Sequence, residues 1–345
     1  MSQPEAVKGI EREAVSAWLA EYVPGATPPF EFSLITGGHS NLTYAVTARA
    51  GQRFVLRRPP LGAGLATAHD MAREHKIIRG ASRIPIPVPR ALGLCEDVSV
   101  NGAPFYVMNF ADGHVLESAD QVRELFPSEG LRDRLADGVL DTLAALHLAD
   151  PEAVGLGDLG RREAYLDRQL IRWRTQWEKS KTRELPEMEQ AYELLLAAKP
   201  DQIYTGIVHG DYRLGNMLSL TDGSISAVLD WELCTLGDTL ADVGYLLNHW
   251  PQPEDPDDAV GPTAAGGFPS RSELLRRYAE RTGHVLENVD YYRSFQIWRL
   301  AAIVEGVAAR YQKGVMGDAN ADIRGFQVVV ERLARQSIAL VRTLD

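Results

Sequence analysis

Histidine, aspartate and asparagine stand at fixed intervals in Ile207-Val208-His209-Gly210-Asp211-Tyr212-Arg213-Leu214-Gly215-Asn216, the pattern H-x-D-x-x-x-x-N. Three fixed residue types at about one in twenty each arise by chance ~0.04 times in a chain of this length. An apolar run, Ser226-Ala227-Val228-Leu229, follows and ends in Asp230. An aspartate fixed in a loop can accept a proton from an attacking hydroxyl. An asparagine five residues on, with an aspartate at the end of the next strand, can supply oxygen ligands to Mg²⁺, which favours a few protein oxygens together with substrate phosphates. Phosphoryl transfer asks little covalent help of a protein, so positioning and charge neutralisation suffice.

The elements around these residues are legible as patterns. Val7, Ile10, Ala14, Val15, Trp18, Leu19 and Tyr22 fall at helical spacing over 5–22, and Pro24, Gly25, Pro28 and Pro29 end that helix. Phe30, Phe32 and Leu34 alternate with polar residues, so a strand begins there. Strands over 42–48 and 53–58 complete a meander. The spacing predicts a helix over 67–80 with Gly80 as its C-cap. Two more strands, 90–95 and 104–110, flank a turn at Asn101-Gly102. Beyond a short linker at Ala111-Asp112-Gly113, long helices are predicted over 131–149, 161–181, 187–198, 271–283, 288–315 and 319–344. The strand-and-loop island of 207–230 interrupts them. Pro251 to Pro269, rich in Pro, Gly and Asp, reads as an exposed loop.

His209, Asp211, Asn216 and Asp230 resemble the catalytic loop and metal-binding aspartate of the protein-kinase-like superfamily. Gly210, Trp231-Glu232 and Gly237-Asp238-Thr239-Leu240-Ala241-Asp242 are similar to the aminoglycoside phosphotransferase and choline kinase branch. The resemblance spans roughly residues 30 to 320. Gly37-Gly38-His39-Ser40-Asn41, Val55-Leu56-Arg57-Arg58-Pro59-Pro60 and Phe105-Tyr106-Val107-Met108 are most similar to a subgroup found alone in bacteria or fused to acyl-CoA dehydrogenases in animals. That subgroup is associated with phosphorylating hydroxylated acyl compounds.

The resemblance implies an α+β, bilobal protein-kinase-like fold: a small antiparallel-sheet N-lobe with one helix, and a larger, mostly helical C-lobe. The division it implies is 1–29 for an N-terminal helix and linker, 30–110 for the nucleotide-binding lobe and 111–345 for the catalytic and acceptor-binding lobe. It implies ATP, with GTP as the alternative, and Mg²⁺. Asp211 would be the base that orients the acceptor hydroxyl, and Asn216 and Asp230 would hold the metal. His209 would be structural, and Asp242 would brace the loop. Gly38, Ser40 and Asn41 would lie on the phosphates, Arg57 and Glu74 would form the strand-to-helix ion pair, and Met108, Asn109 and Phe110 would be the hinge that receives the adenine. Arg57 replaces the family's lysine and keeps the charge, with a bidentate fork in place of a point charge. The glycine loop is shorter than G-x-G-x-x-G.

One pairing follows from the residues themselves. Met71, His75 and Ile78 mark an apolar stripe, and Glu74 falls on it. An inward carboxylate must be paired or remain costly, and Arg57 on the preceding strand is the obvious partner. Plainer readings apply elsewhere. Asp238 can simply open the helix that runs on to Trp250. Gly62-Ala63-Gly64 lacks a third glycine and a βαβ setting, so it reads as a loop. His39, His69, His75, His114 and His147 show no ligand spacing and read as surface or packing residues. Trp298, Arg299, Glu305 and Arg310 lie on a late helix, either at the acceptor pocket or in helix packing. Glu254-Asp255-Pro256-Asp257-Asp258 reads as a solvated loop.

Composition bounds the rest. The chain has 345 residues, 45% hydrophobic and 24% charged, with 36 Lys+Arg against 47 Asp+Glu and a net charge of −11. These are values of a packed protein of two lobes. The acidic excess argues against a nucleic-acid surface. Cys95 and Cys234 are far apart with no C-x-x-C spacing, so neither a disulfide framework nor a zinc knuckle is expected. The chain shows no membrane-spanning run and no signal-peptide core, and the expectation is a cytoplasmic protein with no membrane partner. The expected partner is a small-molecule acceptor such as a hydroxyacyl-CoA or hydroxy acid. An aminoglycoside kinase and a nucleotide-binding pseudokinase or regulatory protein are the alternatives.

Overall fold

The computed structural model describes residues 7–35, 41–61, 70–252, 255, 261–314 and 322–344. Helix α1 (Arg12–Tyr22) is followed by strands β1 (Phe30–Leu34), β2 (Leu42–Ala48) and β3 (Arg53–Arg58). Helix α2 (Met71–Ala81), β4 (Ala91–Cys95), the one-turn α3 (Val98–Asn101) and β5 (Phe105–Asn109) come next. These five strands form one antiparallel sheet in the order β1-β2-β3-β5-β4. The remainder is mostly helical: β6 (His114–Val115), α4 (Ala119–Leu125), α5 (Glu129–Leu148), α6 (Tyr165–Ser180) and α7 (Pro186–Ala197). Then come β7 (Thr205–Val208), β8 (Met217–Ser219), β9 (Ile225–Val228), β10 (Thr235–Asp238), α8 (Leu240–Asn248), α9 (Arg271–Thr282), α10 (Val289–Gln312) and α11 (Ile323–Val341). This is the expected α+β kinase-like architecture.

Two apolar cores divide the labour. One lies between α1 and the outer face of the five-stranded sheet, where Val15, Leu19, Tyr44, Val46, Leu56, Phe105 and Val107 are buried. The other is continuous from the inner face of the sheet, through Val55, Tyr106 and Met108, to α2 and the helices beyond. The alternation of β3 and β5 residues between these cores is the period-two pleat at work.

Several details differ from the sequence pattern. The first helix starts at Arg12 because Gly9, at φ +86°, turns the chain. The Lys8 and Gly9 carbonyls there accept from Tyr44 and Arg58. Asp70 caps α2 by accepting from the Arg73 amide at 2.9 Å, and the expected start at Thr67 lies outside the described residues. Gly80 is not the C-cap: α2 runs through it, and a Cβ there would sit 2.4 Å from Leu156 Cγ, so the glycine serves a close helix approach. The Asn101-Gly102 turn closes α3, with Gly102 left-handed at φ +69°. Helix α4 was absent from the sequence pattern although Ser118 and Gln121 form a full capping box at its start. Gly62-Ala63-Gly64 lies outside the described residues. Both cysteines are free and buried. Among the described residues, no helix is long and apolar enough to cross a membrane.

Candidate active site

The loop between β7 and β8 carries His209, Asp211 and Asn216, and almost every backbone group of its first turn has a fixed partner. The fully buried Asp242 carboxylate, in the first turn of α8, accepts from the His209 amide at 2.6 Å and from the Gly210 amide at 2.8 Å. Its third bond comes from His147 Nε2 on α5 at 3.2 Å. Burial pushes the Asp242 pKa up, but the His147 and loop contacts outweigh it and the net shift is down. His147 Nδ1 meets the Tyr278 hydroxyl at 2.7 Å, so this ring is buried packing with a purpose. Gly210 sits at φ +87°, and a Cβ there would lie 2.9 Å from Leu233 Cβ and O. Only glycine fits that turn.

His209 is spent on structure. Its Nδ1 accepts from the Asp211 amide at 3.2 Å, and its Nε2 donates to the Leu229 carbonyl at 3.0 Å. The Leu229 amide in turn donates to the Asn216 carbonyl at 2.8 Å. The residue before Asp230 is therefore bonded on both sides to the 209–216 loop, and this stitches Asp230 beside Asn216. The Asn216 amide nitrogen donates to the Asp211 carbonyl at 2.8 Å and to Asp211 Oδ2 at 2.7 Å. Both N–H bonds are used there, which leaves the Asn216 side-chain carbonyl as its remaining ligating atom. Arg213 Nε stands 3.5 Å from Asp211 Oδ1.

Across the site, Arg57 on β3 reaches three carboxylates. Its Nε is 3.0 Å from Glu74 Oε2, and its Nη2 is 2.8 Å from Asp230 Oδ1 and 3.7 Å from Glu232 Oε2. Glu74, on the inner face of α2, also accepts from Asn41 Nδ2 at 2.8 Å and from the Tyr106 hydroxyl at 3.1 Å. Burial raises the Glu74 pKa despite Arg57 and Tyr106, and the neighbouring Glu232 and Asp230 charges add to the rise. Burial alone would lower the Arg57 pKa, but Tyr106, Glu74, Asp230 and Glu232 together raise it. Asp230 itself is left-handed at φ +62°. A non-glycine residue in that region is held by its surroundings and recurs at functional sites.

Beside Arg57 and Asp230 opens a cleft of about 230 Å³. Val55, Met108, Phe110, Leu218 and Val228 give it apolar walls of a size that suits a flat heterocycle. Asn109 also lines it and turns its side-chain oxygen to the Arg90 amide. A second cavity, about 540 Å³, lies between α8, α10 and α11. Tyr245 and His249 are among the residues that line it, and the charge of Asp211 acts on both.

The structure thus brings Asp211, Asn216, Asp230, Arg57, Glu74 and Asn41 into one site, with Met108, Asn109 and Phe110 along the adjacent cleft. Gly38 and Ser40, expected on the phosphates, lie outside the described residues, as do His39 and His69. Asp238 does open α8, accepting from the Leu240 amide at 3.2 Å, and also takes the Tyr292 hydroxyl at 2.6 Å. Glu305 and Trp298 serve packing: Glu305 is fully buried on Thr182 and Arg183, and the Trp298 indole donates to the Met188 carbonyl. Asp255, read as part of a solvated loop, instead forms a two-armed ion pair with Arg271. Sequence reasoning did not single out Tyr106, Tyr245 or the pairing of Glu232. Each acts across the fold, where local spacing carries no signal. An amide oxygen at Asn216 and a carboxylate at Asp230 are hard donors. They fit a cation of the Mg²⁺ type completed by substrate oxygens and water. Among the described residues, no group of three or more His, Cys, Asp or Glu side chains is arranged to hold a metal by itself.

The sequence pattern of the phosphotransferase enzyme family matches residues 31–281. The chain belongs to that family. It is 31% identical to a putative aminoglycoside phosphotransferase from Ralstonia eutropha, whose crystal structure superposes with a TM-score of 0.81 over 96% of this chain and 98% of that one. An amicoumacin kinase solved with AMP-PNP and Ca²⁺ shares the fold at a TM-score of 0.62 and 17% identity, over 94% of this chain and 92% of that one. Mouse acyl-CoA dehydrogenase family member 10 is 33% identical over 318 residues, covering 89% of this chain but 29% of the mouse protein. The chain therefore spans less than a third of that relative. Its class within the family is that of a small-molecule kinase.

Proposed function

We propose that this chain transfers the γ-phosphoryl group of ATP to a hydroxyl of a small, acyl-type acceptor such as a hydroxyacyl-CoA or hydroxy acid. The observation that carries the reading is the joining of Asp211, Asn216, Asp230 and Arg57 in one site next to an apolar cleft, with a second cavity lined by Tyr245 and His249, on which the Asp211 charge acts. The apolar cleft, lined also by Arg57 and Asp230, suits a nucleotide. The second cavity suits the acceptor. In this reading residues 30–110 form the nucleotide lobe, 111–345 the catalytic and acceptor lobe, and 1–29 an N-terminal addition.

Asp211 orients the acceptor hydroxyl and takes its proton as the new P–O bond forms and the bond to the leaving ADP oxygen breaks. Asn216 holds the Asp211 carboxylate in place and, with Asp230, would hold Mg²⁺. When bound, the metal neutralises charge on the phosphates. Arg57 stands where a guanidinium can clamp phosphate. Met108, Asn109 and Phe110 would border the adenine, and the backbone around Gly38 and Ser40, with Asn41, the phosphates.

The lining of the acceptor cavity favours an acyl group. Among the described residues, Ile297, Leu300, Leu333 and Leu340 supply an apolar wall, and Arg271, Arg293 and Arg332 line it with Asp255, Arg271 being paired with Asp255 and Arg293 with Asp290. That apolar wall suits an acyl chain better than a polycationic sugar. The aminoglycoside reading rests on the Ralstonia relative's description. Measuring ATP consumption against hydroxyacyl-CoAs, hydroxy acids, choline and aminoglycosides separates the two. Turnover confined to aminoglycosides overturns the acyl reading, and nucleotide binding without turnover across the panel favours a regulatory pseudokinase. In the active pair, Asp211→Ala is expected to lower turnover by roughly 100-fold or more with nucleotide affinity retained.

A further inference from the structure

Arg299, on α10, is an unusual cation. It is 5% exposed, and among the described residues no carboxylate lies within ion-pair distance of its guanidinium. A buried charge without a counter-ion is costly, so its surroundings must compensate. Nη1 donates to the Gly210 carbonyl at 3.0 Å and to Gln296 Oε1 at 2.9 Å. The guanidinium lies over the Trp173 ring at 5.0 Å and the Tyr245 ring at 5.6 Å.

The Gly210 carbonyl belongs to the peptide bond that leads into Asp211. Asp242 already holds the amides of 209 and 210, and His209 holds the amide of 211. Among the described residues, Arg299 therefore supplies the anchor on the opposite edge of that peptide. It also supports Tyr245, the aromatic side chain at the junction of Asp211 and the acceptor cavity. Its helix is the one that lends Gln296, Ile297 and Leu300 to the cavity wall.

We propose that Arg299 is a positioning residue that ties the acceptor-binding helix α10 to the Gly210–Asp211 peptide and thereby sets the direction of the Asp211 carboxylate. The proposal rests on the reading of Asp211 as the base. Both Asp242 and Arg299 grip the loop from helices that border the acceptor cavity, but Asp242 holds the amides of 209 and 210 while Arg299 holds the carbonyl of the peptide that enters Asp211, so its loss disturbs the reacting geometry.

The test compares Arg299→Met and Arg299→Lys with wild type and Asp211→Asn, using the best acceptor from the panel, at a temperature well below each variant's melting point. Arg299→Met is expected to lower kcat by on the order of 100-fold with the KM for ATP within about threefold. Arg299→Lys, which keeps the charge but not the fork, is expected to recover part of that loss. Tyr245→Phe/Arg299→Lys should be less than multiplicative relative to the single variants. Wild-type kcat in Arg299→Met beside an inactive Asp211→Asn overturns the positioning role alone. A loss confined to acceptor KM also overturns it, making Arg299 a binding residue. Activity in Asp211→Asn overturns the base assignment instead. If Arg299→Met fails to fold, the Lys variant and the double-variant comparison decide the matter: multiplicative effects there overturn the proposal.

Discussion

Glu74 and Asp242 are both buried carboxylates that accept three contacts each, yet the protein treats them in opposite ways. At Glu74, burial wins and the pKa rises, because Asp230 and Glu232 crowd the same Arg57 cation. At Asp242, burial also pushes the pKa up, but His147 first and then the backbone amides of the loop outweigh it and the pKa falls. The difference separates a shared charge cluster from a dedicated brace. One cation divided among three acids can exchange partners when phosphates arrive, whereas a carboxylate holding backbone amides fixes the loop whatever is bound.

The sharpest way to break the comparison is to remove the brace. Asp242→Ala leaves the amides of 209 and 210 and the Nε2 of His147 without their Asp242 partner in the interior, and it is expected to cost about 3–5 kcal/mol by chemical denaturation. The ordinary carboxylate range lies above the depressed Asp242 value, so its stabilisation is present at neutral pH and fades as pH falls through the folded pKa. A loss under about 1 kcal/mol would make the two carboxylates equivalent. Glu74→Gln should do the reverse. Arg57 keeps Asp230 and Glu232 as partners, so stability is expected to change by no more than about 1–2 kcal/mol, while turnover falls about tenfold or more as α2 and β3 lose their link. Melting curves and initial rates on the same preparation check both halves.

The smallest expected effect concerns Asp238, a third buried carboxylate with hydrogen bonds from Tyr292 and Leu240 and, among the described residues, no cation in ion-pair contact with it. Burial pushes its pKa up to about 6. A raised carboxylate pKa means the fold favours the neutral form, so stability is lost as pH climbs from the unfolded value near 4 through about 6. Asp238→Asn removes that loss. Its melting temperature relative to wild type should improve across that interval, and a constant difference from pH 4 to 8 would show that Asp238 is not the group responsible.

How much of this was legible follows from where each signal resides. The strand at 30–34 was legible from alternation, and those at 42–48 and 53–58 from the glycine-rich interruption and the turn at Ala50-Gly51-Gln52 that set them apart. The Arg57–Glu74 pair was legible because a carboxylate on an apolar helical stripe demands a partner and Arg57 lies on the preceding strand. Asp238 could be read as a helix opener from its place before α8. Gly80 was misread, since a glycine near a helix end looks the same whether it caps the helix or lets Leu156 approach it. Arg299 was seen but undecided between pocket and packing, as its partners Gly210, Trp173 and Tyr245 come from three distant segments.

By itself the sequence determined the chemistry available: an aspartate and an asparagine at loop spacing, an aspartate at a strand end, and an arginine and a glutamate on successive elements. Residue type and local period carry that information because proton affinity, ligand hardness and helical phase are properties of short stretches. The tertiary structure alone decided which charges share a partner, which buried acid rises and which falls, and that α10 reaches the Gly210–Asp211 peptide. Those outcomes depend on burial and on distances of about 3 Å between residues far apart in the chain, which only packing fixes.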